Sequence, residues 1–258
     1  MKEVFGIKVA DAEEGEEPEP VDIPPVGLIP DLTEDQKIFQ WAGIGFGDAE
    51  TYRLMKSLKK LSTETGLAKI RFFGKIRGTE KDYYIAEAEA EAGDEEGAEE
   101  VEKPADFEDR GTGVNKNTYW VAHSSMSEWV KLPDLSPSDI AAARTIKVLF
   151  TGDLERQIYT NPFFFKSEKF YLRAQICRIY HSTSLCPKGL FRLVEDQPRD
   201  IEDNLPEEGE LVLPTTNEMN HPDMWVHHSL GILENCRTAH KEPEVPDDVE
   251  ITPEELLA

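Results

Sequence analysis

IRFFGKIRGTEKDYYIAEAEA, residues 70–90, reads as two strands joined by Gly78-Thr79-Glu80-Lys81, and it decides between a parallel and an antiparallel architecture. A connection this short joins only antiparallel neighbours, because parallel strands need a crossover of a dozen residues or more. In the second strand Tyr84, Ala86, Ala88 and Ala90 alternate with Tyr83, Ile85, Glu87 and Glu89, the period-two pattern of a strand with one buried face.

Upstream of the hairpin, LTEDQKIFQWAG predicts a short helix ended by Gly43, with Ile38, Phe39 and Ala42 on one side. The glycine-rich GIGFG follows, and then a second helix with Asp48 as its N-cap. In that helix Tyr52, Met55, Leu58 and Leu61 recur every three residues while Lys56, Lys59 and Lys60 face outward. Downstream, NTYWVAH and EWVKLP give two short strands. LSPSDIAAARTIKVLF reads as a helix with Ser136 as N-cap, Pro137 in the first turn and Asp139 in the capping-box position. KFYLRAQICRIYHS reads as a long strand with Phe170, Leu172, Ala174 and Ile176 on one face, GLFRLVE as its partner, and MWVHHSLGILENC as a short helix. Helices and strands do not alternate as a doubly wound parallel sheet requires, so the expected class is α+β, with a mainly antiparallel sheet and several short helices.

The formal charge of −24 is unevenly spread. Residues 11–20, 91–110, 195–210 and 241–258 hold 31 of the 52 acidic residues and only 4 of the 28 basic ones, leaving a body close to neutral. Segments this rich in Glu, Asp, Pro and Gly are expected to bury too little apolar surface to order themselves. The resulting layout is a flexible segment at 1–30, a domain at 31–240 with acidic inserts near 91–110 and 195–210, and an acidic tail at 241–258. Such charge argues against nucleic acid as a partner, although Lys69, Arg71, Lys75, Arg77 and Lys81 form a local basic patch. No apolar run is long enough for a membrane span, no secretory leader is evident, and three cysteines without CxxC pairing suit a reducing compartment; the expectation is a soluble intracellular protein without disulfides.

Chemistry-bearing patterns are weak. GIGFG is preceded by a helix rather than a strand, Asp48 and Glu50 would repel a phosphate, and no Lys follows at the P-loop position, so it reads as a turn. His221, His227, His228, Cys236 and His240 fall close together, but only Cys236-x3-His240 has zinc-like spacing, and on a helix the adjacent histidines would point about 100° apart. Cys177 reads as a small core side chain, and a Cys186–His181 pair lacks an orienting third group. The expectation is therefore no catalytic, cofactor or metal site. Tyr119, Trp120, Trp129, Phe163, Phe164 and Phe165 read instead as exposed aromatics for subunit contacts. Phe163–Phe165 is the most suspicious run, with filling of the domain's own core as the competing reading, and since three successive residues cannot all face one side of a strand, at least one face is expected to meet a partner.

Taken together, WAGIGFGDAETYRLMKSLKKL, IRFFGKIRGTEKDYYIAEAE, GTGVNKNTYWVAHSSMSEWVKLP, ARTIKVLFTGDLERQI, FYLRAQICRIYHSTSLCPKGLF and MWVHHSLGIL resemble, in order, the successive blocks of the radial spoke head 4/6 family over residues 31–240. The resemblance implies a non-catalytic structural subunit of the radial spoke head in the axoneme of motile cilia and flagella. It would assemble with other spoke head subunits, including a paralogous copy, and touch central pair projections transiently, with no nucleic acid or membrane partner. Members of that family usually continue past the MWVHH-like block, whereas here an acidic stretch follows; a compact member and a partial chain are both compatible. The smaller paralogous head subunit, which shares the hairpin, and a protein-binding module unrelated to cilia are the alternative readings. Acidic inserts on such a head would either limit sticking by like-charge repulsion, screened beyond about 8 Å at physiological salt, or keep a crowded complex soluble.

Overall fold

A computed structural model of the chain describes residues 3–4, 7–8, 29–67, 69–90, 104, 106–161, 163–194, 201–204, 214–229 and 231–238. Most of the acidic stretches, residues 11–20, 91–103, 195–200, 205–210 and 241–258, lie outside them. The chain divides into two compact units, Met1–Ile70 and Arg71–Ala258.

The first unit holds a small antiparallel pair, β1 (Glu3–Val4) and β2 (Ile7–Lys8), and two helices, α1 (Leu32–Trp41) and α2 (Asp48–Thr65). Asp31 caps α1 by accepting from the Thr33 amide, and Gly66, in the left-handed region, ends α2. The cap of α2 is Gly47, one residue before the expected Asp48. Its buried side chains are Thr51, Leu54, Leu58, Leu61 and Ser62, while Tyr52 is exposed. Three-residue steps advance about 300°, so the predicted Tyr52–Met55–Leu58–Leu61 stripe winds around the helix, and spacings of three and four hold one face. On α1 the buried residue is Gln36, and the apolar Ile38, Phe39 and Trp41 are exposed.

The second unit is built on a four-stranded sheet of order β3-β4-β5-β6: β3 (Ile70–Ile76), β4 (Tyr83–Glu89), β5 (Asn117–Ala122) and β6 (Val130–Lys131). The predicted hairpin is present. The pairings β4–β5 and β5–β6 are antiparallel, with Ala86 opposite Trp120 and Val121 opposite Val130. The expected one-sided burial of β4 does not hold: Tyr83 through Ala88 are all buried, so its alternation of apolar and charged residues reflects two covered faces, with Glu87 neutralised internally. The rest of the unit comprises α3 (Pro137–Thr145), α4 (Glu168–Thr183), β7 (Leu185–Pro187), β8 (Phe191–Leu193), β9 (Ile201–Asp203), α5 (Thr216–Met219) and β10 (Trp225–His227). The fold is α+β with antiparallel sheets, as expected.

Helix α4 is the central element, and it corrects the reading of residues 169–182 as a strand. One of its sides, Leu172 and Ile176, packs with Tyr83, Ile85, Tyr119, Val121 and Leu132 of the sheet unit. Another, Tyr171, Ala174 and Cys177, packs with Leu135, Ile140, Ala143 and Phe164. Leu172 and Ile176 are fully buried, each contributing about 1.5–3 kcal/mol. A helix covered on several sides has no polar face, so its 3.6-residue period is hidden and a chance two-residue alternation is left visible.

Three further expectations are corrected by their surroundings. Helix α3 begins as predicted, with the Asp139 carboxylate accepting from the Ser136 amide (3.0 Å) and hydroxyl (2.7 Å), but it ends at Thr145. The following Ile146–Val148 stretch is extended because Tyr171 donates to the carbonyls of Ile146 and Val148, and Phe150 stacks on the Tyr171 ring at 4.8 Å. Strand β8 pairs with β9, inside the acidic stretch 195–210, since its expected partner is helical. MWVHH forms a 3-10 turn (Pro222–Met224) leading into β10, which pairs with β7, so bulky and β-branched side chains side with tertiary pairing over helix.

Candidate interaction surface

Beneath the surface the charged residues of the second unit form a tied framework. The Glu168 carboxylate accepts from Tyr83 Oη (2.8 Å), the Thr151 amide (2.8 Å) and hydroxyl (2.8 Å), and the Gly152 amide (3.2 Å). Arg173 donates through Nη2 to the carbonyls of Val114 and Asn117, each at 3.1 Å, and its guanidinium lies 4.5 Å from the Tyr119 ring centroid. Glu87 accepts from Arg71 Nη2 on both carboxylate oxygens and from Asn117 Nδ2 on one of them. Burial pushes the Glu87 carboxyl above its ordinary range, with Arg71 opposing, and it pushes the Tyr83 and Tyr119 phenols up as well.

Glu108 also belongs to this framework, although the sequence places it in an insert expected to lack order. It is buried, accepts from the Val114 amide (2.9 Å) and from the Thr238 amide and hydroxyl, and its own carbonyl receives Asn115 Nδ2. Three bonds to the carboxylate offset its desolvation, which composition alone does not reveal.

Two members of the basic patch are paired, while Lys69, Arg71, Arg77 and Lys81 remain exposed. Arg71 pairs with Glu87, and Lys75 donates to Tyr84 Oη and pairs with Asp82 at 3.0 Å. The glycine turn does join two helices, and its inner side is filled by Gln36, which bonds both the amide and the carbonyl of Phe46. The candidate thiols are buried: Cys177 in α4 and Cys186 in β7, each pushed up by burial and so held away from the thiolate. His227 lies on β10, where neighbouring side chains point to opposite faces, and the His228 ring packs at 5.5 Å from Phe191. Among the described residues there is no group of three or more His, Cys, Asp or Glu able to hold a metal, and no helix long and apolar enough to cross a membrane.

The aromatic residues divide by burial. Tyr119, Trp120 and Phe164 are inside, correcting their expected exposure: the first two sit on β5 between β4 and β6, and Phe164 is a member of the core cluster. Trp129 is half-buried. Phe163 (46%) and Phe165 (84%) point to solvent, joined by Tyr159 (80%), whose exposure sequence pattern alone did not flag. Phe163 lies edge-on to Phe165 at 4.9 Å and 6.2 Å from Tyr159. The loop carrying them is pinned at its base. Gln157 bridges Ser167, Phe164 and Ile158 plug the core, and Lys166 Nζ reaches buried Asp139 at 2.6 Å. Two rings are thus held outward by residues that alternate inward.

A buried framework of tied charged residues and an exposed cluster of aromatic rings characterise this α+β protein. The chain belongs to the radial spokehead-like protein family, whose model matches residues 5–109 and 99–256. It is 33% identical over 248 residues to human radial spoke head protein 4 homolog A, covering 81% of this chain and 34% of that protein. Similarity to mouse radial spoke head protein 6 homolog A is 31% over 262 residues (83% and 37%), and to Chlamydomonas reinhardtii flagellar radial spoke protein 4 it is 31% over 251 residues (91% and 53%). The chain therefore spans about a third to a half of the length of these relatives.

Proposed function

We propose that the chain is a non-catalytic structural subunit of the radial spoke head, in the axoneme of motile cilia and flagella. It assembles with other spoke head subunits, including a paralogous copy, and meets projections of the central pair transiently. In this role it supports head assembly and passes mechanical signals between the central pair and the dynein arms. The observation that carries the reading, beyond family membership, is the aromatic cluster of Tyr159, Phe163 and Phe165 on a pinned loop. Rigid, exposed aromatic rings are the side chains that dominate protein interfaces, since they bury large area with little loss of conformational freedom. The interior supports the same reading, because Glu168, Glu108 and Asp139 are each engaged by several donors and serve as ties.

The test is a double substitution, Phe163→Asp with Phe165→Asp, in the full chain, followed by pull-down of spoke head subunits from an axonemal extract. Loss of co-purifying subunits with an unchanged melting curve is the expected result. Full recovery of the head complex would refute this surface as a subunit contact.

A further inference from the structure

Residues 231–238 lead out of the folded body towards the acidic stretch 241–258, and they are held to it in an unusual way. From α3, Arg144 gathers the segment's backbone: Nη2 donates to the carbonyls of Leu233 (2.8 Å) and Ile232 (3.4 Å), and Nη1 to the carbonyl of Glu234 (3.2 Å) and to Cys236 Sγ (3.3 Å). At the far end, Glu108 Oε1 accepts from the Thr238 amide (3.1 Å) and hydroxyl (3.0 Å). The segment is also closed on itself, with the Leu233 amide donating to the Arg237 carbonyl and the Cys236 amide to that of Leu233.

Its apolar attachment is slight by comparison. Cys236 joins the core cluster that contains Val114, Ile140 and Ala143, and Ile232 packs against that cluster. Two features work against the closed form. Cys236 has φ +64°, a left-handed conformation that side-chain-bearing residues rarely adopt. Arg237 Nε is buried without a hydrogen-bond partner: it forms an ion pair with Glu108 Oε1, but at 3.9 Å, too long for a hydrogen bond.

We infer that residues 231–238 form a releasable strap, closed by Arg144 and Glu108, that opens as a unit while α3 and α4 stay folded. Segments with few buried apolar contacts and strained backbone open locally at far lower free energy than the core. Release relaxes Cys236 and frees Arg237 to find water, while it uncovers the Cys236 thiol and the apolar cluster beneath. A pull on the stretch that follows acts first on the Thr238–Glu108 bonds. The strap is thus the part of the body that responds to load there.

Thiol labelling tests this on the intact chain. The three cysteines, all buried, report on three places: Cys177 on α4, Cys186 on β7 and Cys236 on the strap. Under native conditions, with N-ethylmaleimide and site assignment by mass spectrometry, Cys236 should react at least about tenfold faster than Cys177. Arg144→Gln and Glu108→Gln should each accelerate Cys236 at least about tenfold further, the factor that losing even one charge-assisted hydrogen bond brings, and Arg144→Gln should leave Cys177 unchanged. A common rate for Cys236 and Cys177 overturns the inference, as do variants that leave the Cys236 rate where it was. Should Glu108→Gln not fold, Arg144→Gln decides the matter, because its bonds lie at the surface, and hydrogen exchange of the 231–238 amides gives a second reading.

Discussion

Tyr83 on β4 donates its hydroxyl to Glu168 at the start of α4, a 2.8 Å bond closing 85 residues of chain. The other donors to that carboxylate are the Thr151 amide and hydroxyl and the Gly152 amide. One acceptor therefore fixes the sheet, the 151–152 turn and the helix together. Because every neighbour donates, glutamine is not a conservative replacement: its amide nitrogen would face another donor. Glu168→Gln should cost about 3 kcal/mol or more, whereas Tyr83→Phe, which leaves the backbone donors in place, should cost about 1–2 kcal/mol. Urea midpoints compared at constant m-value check the order, and a Tyr83→Phe loss exceeding that of Glu168→Gln would contradict it.

Glu87 predicts a pH effect of known sign. Burial raises its carboxyl, so the folded form holds a proton to higher pH than the unfolded chain does. A raised folded value means that Glu87 favours folding at pH below the ordinary carboxyl value of about 4.3, and that this contribution is lost as pH climbs through the folded value. Glu87→Gln mimics the protonated form at every pH. Its melting temperature relative to the wild type should therefore rise between pH 4 and pH 7, and a difference that is flat or falls over that range would remove burial as the dominant influence on this group.

Short-range signals were the legible part of the fold. The Gly78–Lys81 hairpin, the capping box at Ser136–Asp139 and the two strands at NTYWVA and VK each depend on a few neighbouring residues, and each stands where expected. Elements governed by distant partners were not legible. Helix α4 lost its period because it is covered on several sides, and β10 is a strand because β7 lies beside it. The candidate surface was half legible. Three successive phenylalanines announced that some ring must point outward, but which one follows from Phe164 entering the core and Lys166 reaching Asp139. Glu108 could not be told from its acidic neighbours, because what sets it apart is the company of Val114 and Thr238.

The turn between α1 and α2 makes a local prediction. Gly45 has φ +109°, and a Cβ there would lie 2.6 Å from Gln36 Oε1, the atom that holds the Phe46 amide. Gly45→Ala should therefore both strain the backbone and displace Gln36, at a cost of about 1–3 kcal/mol. Gly47 has φ −73° and open space at its Cβ position, so Gly47→Ala should cost less than about 1 kcal/mol, the weaker cap being its only penalty. Hydrogen exchange of the first α2 amides distinguishes the two, and equal protection in both variants would show that Gln36 does not hold the turn.

The phenylalanine run separates stability from assembly within three consecutive positions. Phe164 is 6% exposed and packs in the cluster with Tyr171 and Ile158, so Phe164→Ala leaves a cavity and should cost about 3–5 kcal/mol. Phe163 meets Phe165 and Tyr159 at the surface, so charge at positions 163 and 165 should change stability by no more than about 0.5 kcal/mol. If these rings serve only to complete the fold, the double aspartate variant will unfold at markedly lower urea, and its failure to bind other subunits will carry no information. If they serve a neighbouring subunit, its midpoint will match the wild type while binding is lost. Measuring both quantities on the same preparation makes the two explanations exclusive, because only the second allows an unchanged fold with a missing partner.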